Sequence, residues 1–163
     1  MDDPPFNSQS LSLRRAELDD IPYIQSIVHV AYEKYIPRMN KPPAPMTTDY
    51  GSLLASPDHS VFVLQPIDKE IVGALILYHA ADAGEVQIDN VVVTSKAQGH
   101  GYGRVLMRYA EDFAKCHGRN ALILYTNVVM VENLALYPKM GFVETERRTE
   151  EGFERVYFRK ELL

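Results

Sequence analysis

The segment Gln98-Gly99-His100-Gly101-Tyr102-Gly103-Arg104 sets three glycines at alternate positions just ahead of an amphipathic stretch. Glycines so spaced let a backbone approach a ligand closely, and the N–H groups at the start of a helix point outward. The aligned peptide dipoles put about +0.5 charge at that end, which suits a phosphate or pyrophosphate. A glycine-rich tight turn that binds nothing is the competing explanation. Two common phosphate loops do not fit. A P-loop needs a Lys and then Ser or Thr after its last glycine, and no such Lys follows here. A dinucleotide fingerprint counted from Gly99 needs a third glycine where the chain has Arg104. Upstream, Glu85, Gln87 and Asp89 alternate along an apolar run; at a strand's period of two they would share one sheet face with Val91 and Val93.

Holding these groups calls for strands and helices that the rest of the chain supplies. Leu11 to Arg15 alternates like a short strand. Ile21, Ile24, Val28, Ala31 and Tyr35 recur at spacings of three and four, the stripe of an amphipathic helix. Asp19 or Asp20 would cap it, Pro22 would sit in its first turn, and Pro37 would end it. The prolines between Arg38 and Met46 predict a loop, and Thr47 to Ala55 a short helix capped by Thr47 or Thr48. Val61 to Leu64 and Ile71 to Ala80 read as an antiparallel hairpin turning at Asp68-Lys69. A break at Asp82-Ala83-Gly84 precedes a strand from Glu85 to Val93. After the glycine loop comes a helix from about Gly101 to His117, with Leu106, Ala110, Phe113 and His117 on one face and Gly118 as a left-handed terminator. Ala121 to Thr126 is apolar almost throughout and predicts a central strand buried on both faces. A helix from about Val129 to Tyr137, a turn at Gly141 and two final strands complete the chain. The sum is an α/β fold: one domain over residues 11–163, with a mixed, mostly antiparallel sheet of about seven strands flanked by about four helices. Residues 1–10 read as a flexible tail.

Gln98-x-x-Gly101-x-Gly103 resembles the Q/R-x-x-G-x-G/A signature of the GNAT acetyltransferases, and its setting between strand Asn90–Val93 and a helix is also similar. A second landmark of that family, a Tyr followed shortly by Gly-Phe, is matched by Leu136-Tyr137-Pro138-Lys139-Met140-Gly141-Phe142. The resemblance runs from residue 11 to the end of the chain. It implies an acetyl-CoA-dependent N-acetyltransferase with a GNAT-like fold. It also implies that the Val91-Val92-Val93 segment pairs with the pantetheine arm through the backbone of Val91 and Val93. Gln98, Gly99, His100, Gly101, Tyr102, Gly103 and Arg104 would then hold the pyrophosphate, and Tyr137 would touch the cofactor and act as general acid to the departing thiolate. The chain departs from the pattern in one respect. Many members carry an Asn seven residues before this Tyr, where Met130 stands; Asn133, four residues before Tyr137 on the same helix face, is the remaining candidate for a cofactor contact. A homodimer is a further arrangement the resemblance allows, with Arg155 to Leu162 as one interface edge.

Acetyl transfer to an amine sets its own demands. An alkylammonium has a pKa of about 10, so the acceptor must lose a proton before it attacks the thioester. A base, a donor near the carbonyl and an acid for the sulfur are required. Asp89 and Glu85 are the base candidates; each could equally be a solvated edge residue. Cys116 stands 13 residues along the helix from Gly103, about 20 Å away at 1.5 Å per residue, which favours direct transfer over an acyl-cysteine route. The acceptor would meet the segment Ala31 to Ala55, where Tyr32, Tyr35, Met39, Met46 and Tyr50 offer a pocket lining. A peptide N-terminus, a lysine side chain, a polyamine and an antibiotic amine all stay compatible with it, and so does a longer acyl donor. A non-catalytic acyl-CoA sensor or interaction module is the alternative function.

Composition narrows the setting. The 163 residues are 46% hydrophobic and 24% charged, which is ordinary for one globular domain. A formal charge of −5 argues against a nucleic-acid scaffold. No apolar run is long enough to span a bilayer, and the acidic start MDDPPFNSQS is unlike a signal peptide. The lone Cys116 and the scattered histidines predict neither a disulfide nor a metal site, and a cytoplasmic location follows as the expectation.

Overall fold

The computed structural model of the chain describes residues 2–80 and 84–162. Asp82 and Ala83 of the predicted break lie outside the described residues. Seven strands are found there: β1 (Leu11–Arg15), β2 (His59–Pro66), β3 (Gly73–Tyr78), β4 (Glu85–Val93), β5 (Ala121–Asn127), β6 (Val143–Glu150) and β7 (Phe153–Glu161). They form one sheet in the order β1-β2-β3-β4-β5-β7-β6. Only β4 and β5 run parallel. The helices are α1 (Ile21–Tyr32), the single turn α2 (Ile36–Met39), α3 (Tyr50–Ala55), α4 (Tyr102–Cys116) and α5 (Val131–Lys139).

Two apolar layers sandwich the sheet. On one side α4 buries Leu106, Ala110 and Phe113 against Phe62, Leu75, Leu77, Val86 and Leu122. On the other, α1 buries Ile24, Ile27 and Val28 against Val61, Val63, Ala74, Ile76 and Val92. Each Leu, Ile, Val or Phe among them that is fully withdrawn from water contributes about 1.5–3 kcal/mol. Residues 2–10 form no helix or strand but are docked: Phe6 meets Tyr109 edge-on at 6.3 Å, Tyr109 donates to the Pro4 carbonyl, and Asp3 pairs with Arg15 at 2.7 Å. That packing corrects the expectation of a loose tail.

Several local expectations change for identifiable reasons. Pro37 does not end α1, which stops at Tyr32; it opens α2, where a missing N–H costs no hydrogen bond. Asp20 sits at the N-terminus of α1, yet its carboxylate takes the Arg14 guanidinium at 2.7 and 3.0 Å and the Glu17 amide at 2.7 Å. Asp49, not a threonine, caps α3 by accepting from the Ser52 amide. β5 is central, but Ile123 and Tyr125, on the face where Tyr125 meets Tyr157, are only half-buried. The last strand, β7, lies between β5 and β6, so the free edge at this end belongs to β6 rather than to Arg155–Leu162.

Candidate active site

β4 and β5 part company halfway along. Their pairing runs from Glu85–Ala121 to Ile88–Leu124 and goes no further. At the same point β4 carries a bulge: Ile76 faces Asn90, Leu77 faces Ile88, and Asp89 has no partner. The extra residue breaks the period of two. Ile88 packs on the α4 side and so does Val91, while Asp89 and Asn90 both turn to the α1 side. Asp89 therefore does not share a face with Val91 and Val93, contrary to the simple alternation. The separated strands leave a cleft of about 430 Å³ that reaches both layers of the molecule.

Asp89, Val91, Asn133 and Tyr137 all line this cleft. Glu85 does not; it pairs with Arg159 at 3.3 Å, well up the strand from the bulge. Val92 turns its side chain into the α1-side core, and Val93 packs toward α4. Beyond the bulge β4 pairs only with β3, so its edge from Asp89 to Val93 is open toward the cleft. Gln98 to Arg104 follow at the end of that strand and lead into α4. Gly99 and Gly101 have φ of 87° and 79°, which favour glycine, and a Cβ added at 99, 101 or 103 would meet nothing within 4 Å. The amides of Gly101 to Arg104 find no backbone acceptor among the described residues, whereas Val105 already bonds the Gly101 carbonyl. This row of free donors at a helix start fits a pyrophosphate. His100 is exposed, stacks on Tyr102 at 5.5 Å and bonds the Ala97 carbonyl.

Inside the cleft the polar groups are differently tuned. Burial pushes the Tyr137 hydroxyl up to about 12, so it stays protonated at neutral pH; its ring is held by Phe142 and Phe158 at 5.8 and 5.7 Å. Burial also raises the Asp89 carboxyl, against a hydrogen bond from Gln87 at 2.7 Å and the charge of His59 at 3.6 Å. His59 in turn contacts the Ser56 hydroxyl at 2.9 Å, and its ring meets Tyr78 at 5.0 Å. Asn90 accepts from Tyr32 at 2.7 Å. Asn133 donates to Thr126 at 3.1 Å, turning its amide toward β5.

His59, Asn90, Tyr125 and Arg155 also line the cleft, and none was singled out from the sequence as a site residue. His59 could have been found, because it keeps the period of two with Val61 and Val63 and so faces α1. Of the residues predicted to form the acceptor pocket, Tyr32, Met39 and Tyr50 line the cleft; Tyr35 is buried beside Tyr32, and Met46 packs on the α1 core instead.

The segment from α2 to α3 forms a strap along the cleft, which Met39, Pro43, Ala44, Pro45, Thr48 and Tyr50 line. Arg38 forks onto Glu132 at 3.0 and 2.9 Å and bonds the Val129 carbonyl, and Lys41 donates to the Gly152 carbonyl above the Phe153 ring. Arg38→Ala is expected to raise the acceptor KM about three- to tenfold, by loosening the strap, while CoA affinity stays unchanged. Steady-state kinetics with each substrate varied in turn checks this.

A seven-stranded mixed sheet that splays after a bulge, with a glycine-lined helix start beside the gap, is the architecture that the sequence resemblance implies. The acetyltransferase (GNAT) family model matches residues 24–142. The chain belongs to that family, whose members use acetyl-CoA as cosubstrate. Among curated relatives, it is 33% identical over 85 residues to streptothricin acetyltransferase of Streptomyces lavendulae, covering 52% of this chain and 45% of that protein. It is 32% identical over 91 residues to IAA acetyltransferase of Azospirillum brasilense, covering 56% and 59%. The chain thus spans about half the length of these relatives. Its fold superposes on nourseothricin acetyltransferase with a TM-score of 0.70 at 18% identity, over 95% of this chain and all of that one. The ribosomal-protein-S18-alanine N-acetyltransferase of Escherichia coli gives 0.69 at 21%, over 93% and 94%. No helix among the described residues is long and apolar enough to cross a membrane.

Proposed function

We propose that the chain transfers an acetyl group from acetyl-CoA directly to a primary amine, with Tyr137 as general acid and Asp89 as general base. The observation that carries this reading is the meeting of both groups in one cleft beside the open edge of β4. Acetyl-CoA supplies an activated thioester carbonyl and a thiolate leaving group. Asp89 accepts a proton from the acceptor ammonium, directly or through one water, and the N–C bond then forms as C–S breaks. Tyr137, neutral at the working pH, donates its hydroxyl proton to the departing sulfur. The open edge from Asp89 to Val93 suits the amide-bearing pantetheine arm, added like a strand. The free amides from Gly101 to Arg104 suit the pyrophosphate.

Direct transfer is supported by Cys116, which is exposed at the far end of α4 and touches the carbonyl of Asp2. His59 stands beside Asp89 at 3.6 Å, too far for a direct hydrogen bond, with its other ring nitrogen on Ser56. Glu85 has no part in this scheme, since Arg159 holds it outside the cleft.

The cofactor half of the reading is tested at Gly101. An alanine there is strained by about 1–2 kcal/mol in the left-handed region, and its methyl group would occupy the open space before the helix start. Gly101→Ala is expected to weaken CoA binding about tenfold or more in calorimetry. Unchanged affinity would mean that the glycine loop is not the pyrophosphate site.

A further inference from the structure

Arg155 is the one residue of the cleft whose charge the acetyl-transfer scheme leaves unused. It lies on β7 where the β6–β7 hairpin meets the strap, and its side chain is only 9% exposed. A guanidinium so buried is ordinarily bound by a carboxylate in a fork of two short hydrogen bonds. Here no hydrogen bond from it is formed among the described residues. Its two ion pairs, to Glu150 at 3.7 Å and to Glu151 at 3.6 Å, exceed hydrogen-bonding distance. The Tyr157 hydroxyl and Arg148 (at 2.5 Å) take Oε1 of Glu150 and leave Oε2 facing Arg155, and the Glu151 side chain is 80% exposed. What fixes the guanidinium is apolar: it lies over the Tyr125 ring at 4.3 Å and over Phe153 at 5.5 Å. Stacking orients the planar fork at the wall of the cleft, where its two outer nitrogens face Glu150 and Glu151 without a hydrogen bond to either.

The opposite charge is supplied within the same cavity by Asp89. We infer that the acceptor is a zwitterion of the amino-acid type, its ammonium directed to Asp89 and its carboxylate forked onto Arg155. This rests on the acetyl-transfer reading for the role of Asp89 but is carried by Arg155 itself. A second positive charge in the acceptor would meet the guanidinium in a confined space, which disfavours polyamines and multiply cationic amines. An acceptor without an anion would leave the guanidinium with its two long ion pairs and no short hydrogen bond.

The test separates binding from turnover. Calorimetry on the protein saturated with CoA compares α-amino acids of small, apolar, aromatic and charged type, each beside its carboxamide, and thiol release is followed on the same pairs with acetyl-CoA. At least one free acid is expected to bind about 10- to 100-fold more tightly than its amide. Arg155→Gln is expected to erase that preference by weakening the acid alone, while Arg155→Lys, keeping charge without the fork, restores part of it. Binding of amide and acid with equal affinity, or of no acid at all, would overturn the inference whatever the turnover. An acid-selective binding signal without thiol release would instead uphold the carboxylate site and count against acetyl transfer. Should Arg155→Gln fail to fold, the comparison of acid and amide on the unaltered protein still decides.

Discussion

Tyr137→Phe is expected to lower kcat about 100- to 1,000-fold while CoA affinity stays within about twofold. The hydroxyl is the only atom lost, and the ring keeps its packing on Phe142 and Phe158. Because burial holds the phenol at about 12, it is a protonated donor across the whole range in which an amine can be acetylated. Its removal leaves the thiolate to depart unprotonated. The effect belongs in kcat, since the hydrogen bond to sulfur strengthens only as charge develops there. Single-turnover kinetics with CoA binding measured in parallel gives both numbers. Turnover equal to the unaltered protein would remove Tyr137 from the mechanism.

Asp89→Asn is expected to lower kcat/KM for the acceptor about 100- to 1,000-fold and to flatten the acidic limb of the pH profile. In the unaltered protein that limb lies above the ordinary carboxylate value of about 3.9, because burial raises the group despite Gln87 and His59. The same shift has a stability consequence of fixed sign. A carboxyl whose pKa is higher folded than unfolded stabilises the fold fully below its unfolded value, and the contribution is lost as pH rises through the folded one. At neutral pH the fold therefore carries a buried carboxylate that an asparagine would not. Asp89→Asn, which can still accept from Gln87, is expected to melt above the unaltered protein at pH 7, with the gap narrowing toward pH 4. A variant both less active and less stable at pH 7 would contradict the assignment.

Much of this was legible in the sequence, and the misses have common causes. Element order, the α4 boundaries, the turn at Gly118 and the hairpin at Asp68 followed from periodicity and from glycine and proline chemistry, which are local. The glycine loop and Tyr137 were visible because each sits in a short motif. Asp89 was found by alternation, but for a partly mistaken reason: nothing in Glu85–Val93 marks the bulge, which is set by the pairing of β4 with β3. Glu85 was its equal by type and spacing, and only Arg159, brought close by β7, separates the two. Arg155 and His59 lay outside any motif. Their importance comes from neighbours supplied by β5 and β4, and such contacts between distant segments leave no trace in local spacing.

The most direct measurement is release of free thiol from acetyl-CoA as a function of added amine, with CoA binding followed on the same preparation. Saturable release is expected that depends on the acceptor, falls about 100- to 1,000-fold with Tyr137→Phe or Asp89→Asn, and is greatest for a primary amine bearing a carboxylate. CoA bound tightly with no thiol released for any amine would contradict it, and would make the cleft that of a sensor rather than an enzyme.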